Sequence, residues 1–299
     1  MSQQATNISG GVPTPVFAFL PVPADVFSAR AARFRKLAAE GLLAPYLAFL
    51  ADLSALQAGI AAEAEPLAAP ATKPACGMPH LDRARLAQSP ELLAALDAFL
   101  VRARRLDMPA QARLALDALA AAEEGERRDA ITRVLSDEIP GDSVAAHLFA
   151  AAAMQVELAR RAAGLEADAL TPVAAGTCPA CGGKPVASVV AADLSTVEGT
   201  RYACCASCAT RWNEVRIKCL NCGSLKGITY RALEAEGAAE PAIKAEACHE
   251  CGSWLKIMHQ IREAGLDPVA DDVASLGLDL LMRETDFIRA GFHPFLAGY

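Results

Sequence analysis

Eight of the ten cysteines in this 299-residue chain form four C-x2-C pairs, whose spacing indicates chemistry more clearly than any other feature. Each such pair forms a tight turn, or knuckle, that directs two thiolates at one metal ion, and two knuckles complete a tetrahedral site. Disulfides are rare in reducing compartments, so metal binding is the preferred interpretation for a chain without an evident export signal. The pairs are Cys178/Cys181, Cys205/Cys208, Cys219/Cys222 and Cys248/Cys251.

The intervals between the pairs favour a sequential grouping into two four-cysteine sites. The first two pairs are separated by 23 residues and the last two by 25, whereas only 10 residues lie between Cys208 and Cys219. Each long interval has the pattern of short strands and a turn, which indicates a twofold repeat of one ribbon module. An interleaved pairing is the main alternative. We predict that Cys178, Cys181, Cys205 and Cys208 bind one ion, and that Cys219, Cys222, Cys248 and Cys251 bind the other.

The residue types do not distinguish iron from zinc, because a tetrahedral all-sulfur site accepts either metal. Zinc in a closed site would be structural, whereas iron would be redox-active. Cys76 and Cys204 fit neither site and are predicted to be free thiols. Trp212 and Trp254 follow knuckles and are predicted to cap the sulfur sites with apolar surface.

The elements that must position these cysteines differ between the two halves of the chain. Alanine-rich helical periodicity dominates up to about residue 172, and short strands follow. Predicted helices begin near Pro23 and Leu42 and span 90–105, 109–124, 126–138 and 142–163, with a loop at 67–89 and a last helix at 267–288. Predicted strands are 185–192, 200–203, 211–217, 228–233, 242–247 and 254–258.

Charge and composition exclude several classes of protein. The formal net charge is −7, and the cysteine-rich segment 178–259 has nine basic and eight acidic residues, so nucleic-acid binding is not expected. The apolar segment 144–154 is about half the length that spans a bilayer, so no membrane insertion is expected. No Ser-His-Asp set, P-loop or nucleotide fingerprint is present, which favours a cytoplasmic binding protein over an enzyme.

Five stretches of the chain resemble the formate dehydrogenase accessory protein family of the FdhE type. The most specific is the run CASCATRWNEVRIKCLNC at 205–222, together with Asp271 and Asp272 in the last predicted helix. The chain departs from the family pattern at Gln260, Ile261 and Arg262, where the family often has an acidic residue and lysine. The stretches are 27–38, 178–185, 205–222, 251–256 and 269–276.

The resemblance implies an N-terminal α-helical bundle, two rubredoxin-like or zinc-ribbon metal modules and a C-terminal helix that packs on the body. The implied domains are 1–172, 173–217, 218–260 and 261–299. It also implies a cytoplasmic maturation factor, with iron as the favoured metal, that binds the molybdenum- or tungsten-containing catalytic subunit of formate dehydrogenase before export by the twin-arginine route. A rubredoxin-like redox protein, for electron transfer or redox sensing, is the alternative.

Two sequence features could serve a partner. Asp271 and Asp272 could form an acidic patch for a basic segment such as a twin-arginine signal, although acids in a first helical turn also stabilise the helix dipole. An apolar surface for a partner is expected on the helical domain or in its groove with the ribbons.

Overall fold

The computed structural model describes residues 8–9, 12–68, 74–141, 143–192, 197–233 and 239–296, with side chains from residue 14 onward. Parts of the predicted loop 67–89 and helix 142–163, at residues 69–73 and 142, lie outside the described residues, as do both chain ends.

The N-terminal half of the described chain is helical, as expected. Helix α1 begins at Pro23 itself, because the fixed φ of proline suits the first helical position, and Asp25 lies inside the first turn. Helix α4 begins as predicted, with the Ser89 hydroxyl accepting a hydrogen bond from the Leu92 N–H. The helices are α1 Pro23–Leu37, α2 Ala44–Glu63, α3 Arg83–Ala87, α4 Pro90–Ala103, α5 Ala110–Ala121, α6 Glu124–Leu135 and α7 Val144–Ala163.

Helix α7 is the central helix of this bundle, because it is buried along most of its length and contacts α2, α4, α5 and α6. Its one buried amide, Gln155, accepts a hydrogen bond from Gln57 of α2 at 3.0 Å and donates one to the carbonyl of Ala206 at 2.7 Å. Gln155 therefore joins the bundle to the cysteine-rich half of the chain.

Helix α2 is the one helix among the described residues that is long and apolar enough, by length and composition, to cross a membrane. The sequence prediction took the segment within α7 as the longest apolar stretch and overlooked α2. In the folded chain 39% of the apolar 18-residue stretch of α2 is buried, and Ser54 and Gln57 are also buried. Core helices of soluble proteins have the same length and apolar composition, so these two properties of α2 are weak evidence for a membrane span.

The predicted ribbons are present as two antiparallel units of three strands. The first ribbon is β4 Pro185–Val190, β5 Arg201–Cys205 and β6 Arg211–Glu214, and the second is β7 Ile228–Arg231, β8 Ile243–Cys248 and β9 Ser253–His259. Strands β4 and β9 pair in parallel, from Ser188 opposite Ile257 to Val190 opposite His259, so both ribbons share one sheet. This sheet has the order β3-β6-β5-β4-β9-β8-β7, with β3 at Ala18–Phe19 on one edge. A separate hairpin joins β1 Ile8–Ser9 and β2 Val12–Pro13.

The C-terminal segment differs from its prediction. Instead of one helix over 267–288, it has α8 Ala270–Ala274, α9 Leu276–Arg283 and β10 Ile288–Arg289, which pairs in parallel with β9. The helix is interrupted at Ser275, whose hydroxyl donates to the Asp271 carbonyl at 2.6 Å. The tail packs back on the body as expected, because Phe295 and Leu296 are buried in the main core.

Two unequal apolar cores support the ribbons. The main core is continuous from the helical bundle into the first ribbon and includes Cys178, Cys181, Cys205 and Cys208. The second ribbon packs on α9 through a small cluster of Ala245, Ala247, Trp254, Leu278 and Met282. The boundaries of the four predicted domains remain a prediction.

Candidate metal centres

The cysteines of the C-x2-C pairs lie in two groups, and the grouping is sequential rather than interleaved. Within each group the four Sγ atoms lie within 4.8 Å of one another. The first cluster is Cys178, Cys181, Cys205 and Cys208, and the second cluster is Cys219, Cys222, Cys248 and Cys251.

The sulfur separations fit a tetrahedral metal ion. In the first cluster Cys178 and Cys208 are 3.6 Å apart, and Cys181 and Cys205 are 3.4 Å apart. The corresponding pairs of the second cluster, Cys219 with Cys251 and Cys222 with Cys248, are 3.7 and 3.8 Å apart. Metal–sulfur bonds of about 2.3 Å in tetrahedral geometry place sulfurs about 3.8 Å apart. Each cluster can therefore hold one ion, and four thiolates would complete its shell.

All four knuckles have the same backbone turn. The residue after the second cysteine has a positive φ, which lets the chain leave the turn while nearby N–H groups point at sulfur. In two of the knuckles the N–H groups of Ser207 and Asn221 donate to the Cys205 and Cys219 sulfurs at 3.4 and 3.3 Å. The positive-φ residues are Gly182 at 75°, Ala209 at 60°, Gly223 at 78° and Gly252 at 66°. The positive φ thus favours glycine after a knuckle, and Ala209 is the one non-glycine residue at this position.

The first cluster is fully enclosed, and a charged pair covers it. Arg83 donates from Nη1 and Nη2 to the two carboxylate oxygens of Asp137 at 2.9 and 2.8 Å, and Nη2 lies 3.3 Å from the Ser207 hydroxyl. A side-chain carbon placed on Gly183 would lie 2.7 Å from Arg83 and 3.4 Å from the Cys181 sulfur. Arg83 therefore lies directly over the cluster. Sequence reasoning missed this residue, because it lies in a proline-rich segment that predicted only a loop.

Hydrogen bonds from the helical half to backbone carbonyls also hold both knuckles of the first cluster. The N–H groups of His80 and Leu81 donate to the carbonyls of Pro179 and Ala180 at 3.3 and 2.8 Å. The other knuckle receives the hydrogen bond from Gln155 to Ala206. The first cluster is thus positioned by the helical bundle as well as by its own ribbon.

Burial and mutual repulsion oppose the ionisation of all four thiols in the first cluster without a cation. Burial raises the pKa of Cys178 and Cys205, whereas hydrogen bonds from the other three thiols lower the pKa of Cys181. Four buried thiolates repel one another strongly in the absence of positive charge. A bound divalent ion would supply that charge and stabilise all four thiolates.

The second cluster lies at the surface. Cys219 and Cys248 are buried, but Cys222 and Cys251 are exposed. Burial opposes ionisation of Cys251, but hydrogen bonds to its sulfur, first among them the one from the Ser253 hydroxyl at 3.0 Å, outweigh it and lower its pKa to about 6. Among the residues that the structure describes, no hydrogen bond from α1 to α7 reaches these four cysteines.

The remaining cysteines and histidines lie outside both clusters. Cys76 is exposed, and Cys204 is buried in β5, where burial raises its pKa to about 11. His147 is buried with its Nδ1 2.8 Å from the Ser143 carbonyl, and His249 is exposed beside Phe287. Trp212 and Trp254 are buried in the two apolar cores, and their capping of sulfur remains a prediction.

The burial of Asp271 and Asp272 contradicts the prediction that they form an acidic patch for a partner. Asp271 and Asp272 are 2% and 0% exposed, so neither carboxylate is available to a basic segment of a partner. Asp271 accepts from Arg33 of α1 at 2.6 Å, and Lys256 of β9 lies 2.7 Å from Asp272. Lys256 is itself buried, between Asp272 and Asp279. These pairs bind the C-terminal segment to α1 and to the sheet.

A groove between the helical half and the first ribbon forms a cleft of about 540 Å³. Its walls are mainly apolar, and include Leu20, Val22, Val26, Val189, Tyr202 and Arg211. The groove lies where an apolar surface for a partner was expected.

A helical bundle joined to two four-cysteine ribbons in one sheet defines the class: a two-site metal-binding protein of the zinc-ribbon type. Three family descriptions match consecutive parts of the chain: "FdhE, N-terminal" at 15–175, "FdhE, central domain" at 177–216 and "FdhE, C-terminal domain" at 217–296. The chain therefore belongs to the FdhE family, as its resemblance predicted.

Relatives and a solved structure agree with this assignment over nearly the full length. "Protein FdhE homolog" from Rhizobium meliloti (strain 1021) is 48% identical, over 99% of this chain and 98% of the relative. "Protein FdhE homolog" from Proteus mirabilis (strain HI4320) is 35% identical, over 91% and 88% of the two chains. The crystal structure of the FdhE protein from Pseudomonas aeruginosa matches with a TM-score of 0.83 at 32% identity, covering 94% of this chain and 99% of that one.

Proposed function

We propose that this chain is a cytoplasmic maturation factor for formate dehydrogenase that binds the enzyme's catalytic subunit before export. The observation that carries the proposal is family membership over all three parts of the chain. In this function the protein binds rather than catalyses. The twin-arginine signal region is one candidate for the bound segment, although Asp271 and Asp272 are no longer candidates for its binding site.

We also propose that each four-cysteine cluster holds one metal ion in the functional protein. The sulfur separations support this, and they suit iron and zinc equally. Iron is favoured by the family resemblance alone. Zinc would supply structural cross-linking only, whereas iron would add one-electron redox chemistry.

The cleft between the helical half and the first ribbon is the proposed location for the catalytic subunit. Its apolar wall includes Val22, a large apolar side chain that is 61% exposed. Apolar side chains of this kind are typical of the core of a protein interface.

A standalone rubredoxin-like redox protein remains a second hypothesis, but no observation specifically favours it. The comparisons point to the accessory family over the whole chain rather than to a short electron carrier.

The test is an anaerobic capture of the tagged full chain at native level, with bound proteins identified and metals counted in the same eluate. Recovery of a formate dehydrogenase catalytic subunit, with about two metal ions per chain, is the expected result. Two metal ions without any formate dehydrogenase would contradict the maturation role and favour the redox hypothesis.

A matched pair of variants tests the location. Val22→Glu places a charge in the cleft and is expected to weaken capture by about tenfold or more. Leu42→Glu places the same charge on a fully exposed position outside the cleft walls and is expected to leave capture unchanged. Equal effects of the two substitutions would place the partner elsewhere.

A further inference from the structure

A second cleft, of about 380 Å³, lies between the two ribbons and reaches the second cluster. Cys251 forms part of its wall, together with Asn221 and Ser253, which both lie beside the Cys251 sulfur. The opposite wall includes Lys184, just before β4 of the first ribbon, and Ile288 of β10. One thiol of the second cluster therefore faces a space large enough for a small molecule.

The path to this sulfur is open, in contrast to the path to the first cluster. A side-chain carbon added to Gly252, next to Cys251, would have no atom within 4 Å. A carbon added to Gly182, the equivalent position beside Cys181, would lie 3.0 Å from Pro79. Arg83 closes the remaining approach to Cys181.

The cleft also carries positive charge suited to an anion. Lys184 is exposed, and its ammonium group has no carboxylate within salt-bridge distance among the residues that the structure describes. The other cation of the wall, Arg289, is already paired with Asp272 and Asp279. The free charge of Lys184 would therefore draw a small anion towards Cys251.

We propose that this cleft admits a small anionic thiol to the second cluster, and that Cys251 is the ligand it displaces. The incoming thiol would lose its proton to solvent and bond to the metal ion as the bond from the Cys251 sulfur breaks. Cys251 would be left as a free thiolate, so no atom would change oxidation state. The second site is thus exchangeable, whereas the first site is inert. This proposal rests on the proposed metal ion of the second cluster, but not on the role in formate dehydrogenase maturation.

The test uses the full chain loaded with zinc, carrying Cys76→Ser to remove the exposed thiol outside the clusters. Glutathione is the anionic thiol, 2-mercaptoethanol is the neutral one, and a coloured chelator reports the released zinc. In glutathione, one of the two zinc ions is expected to be released at least about tenfold faster than the other zinc ion. Brief N-ethylmaleimide labelling followed by peptide mass spectrometry should modify Cys251 before Cys181.

Two charge variants separate binding in the cleft from a general electrostatic effect. Lys184→Ala is expected to slow the glutathione-dependent phase by about threefold or more and to leave the 2-mercaptoethanol phase unchanged. Lys226→Ala removes the same charge four residues after Cys222 but outside the cleft wall, and should slow neither phase. Simultaneous loss of both zinc ions, first labelling of Cys181, or equal slowing by the two variants would overturn the proposal.

Discussion

The two four-cysteine clusters have the same ligands and the same knuckle turn, yet they lie in opposite environments. All four cysteines of the first cluster are buried in the main core, whereas Cys222 and Cys251 of the second cluster are exposed. The first is covered by Arg83 and held by hydrogen bonds from the helical half. The second is held mainly by its own ribbon and by the charged C-terminal segment.

This difference shows that two copies of a repeated module can lie in different environments. The sequence repeat determines the geometry of each site, and the packing around it determines access. A buried site contributes to the stability of the whole core, whereas an exposed site can lose its ligand locally.

Loss of one thiolate should affect the two clusters very differently. Cys181→Ser is expected to prevent accumulation of soluble, folded protein, because a structural zinc site contributes about 10–16 kcal/mol, which is comparable with total domain stability. Cys251→Ser should leave the helical content and the first metal ion in place. Circular dichroism and metal counting on both variants check this.

If both variants fold and retain one metal ion each, the two sites contribute equally and the comparison fails. Cys76→Ser is the control, because Cys76 is exposed and lies in neither cluster.

Removal of the cover over the first cluster should be nearly as damaging. The side chains of Arg83 and Asp137 are 10% and 4% exposed, and Arg83→Ala would leave the Asp137 carboxylate buried without its cation. Breaking such a pair costs about 3–5 kcal/mol. Urea unfolding measures the loss, and zinc release from the first cluster should become faster.

The matched control is Arg35→Ala in the exposed pair of Arg35 with Asp52, where the expected loss is below about 1 kcal/mol. Equal losses for the two arginines would show that Arg83 does not act as a cover.

Acid should weaken the packing of the C-terminal segment through His293. Burial lowers the pKa of His293 to about 4, and its ring bonds to the Val269 carbonyl and the Phe295 N–H as a neutral imidazole. The unfolded chain takes up this proton from about pH 6.5 downward, whereas the folded chain does so only near pH 4. Stability is therefore lost as the pH falls from about 6.5 to about 4, by up to about 3 kcal/mol.

Urea unfolding across that pH range checks the size of the loss, and His293→Gln should make the pH dependence shallower. Identical pH dependence of the parent and the variant would assign the acid sensitivity to other groups. The pKa of Asp272, which Arg289 and Lys256 lower to about 2 against the effect of burial, places its own loss at still lower pH.

The smallest expected effect concerns the one knuckle without glycine. Ala209 has a φ of 60°, which costs an L-residue about 1–2 kcal/mol, whereas the equivalent residues of the other knuckles are glycines. Ala209→Gly should raise the free energy of unfolding by about 0.5–1 kcal/mol, because greater flexibility of the unfolded chain offsets part of the gain. Thermal unfolding measures it, and Gly252→Ala should have the opposite sign.

Much of the architecture followed from short-range patterns. Helices α4 to α7 were predicted within a few residues, because amphipathic spacing and the cap at Ser89 are local signals. The sequential grouping of the cysteines followed from interval lengths alone. The C-terminal helix was predicted as one piece, because its break at Ser275 depends on packing between α9 and the second ribbon.

Only part of the candidate site could be predicted from such short-range patterns. The knuckle cysteines were visible from spacing, but Arg83, 54 residues from its partner Asp137, was not. Asp271 and Asp272 were singled out from the sequence as an acidic patch for a partner, which requires exposure, but both side chains are buried. The cations that pair with these carboxylates, Arg33 and Lys256, come from distant elements. Neither a single sequence nor its helical periodicity indicates that these four charged groups will be buried as pairs.

The sequence by itself determined the ligands, the knuckles and the two ribbons, because two thiolates on one turn need only a few consecutive residues. Only the tertiary structure decided which site is closed and which is open. That depends on the parallel pairing of β4 with β9 and on the bundle that covers just the first cluster. Burial is a property of surfaces brought together from distant parts of the chain, and local spacing carries no record of it.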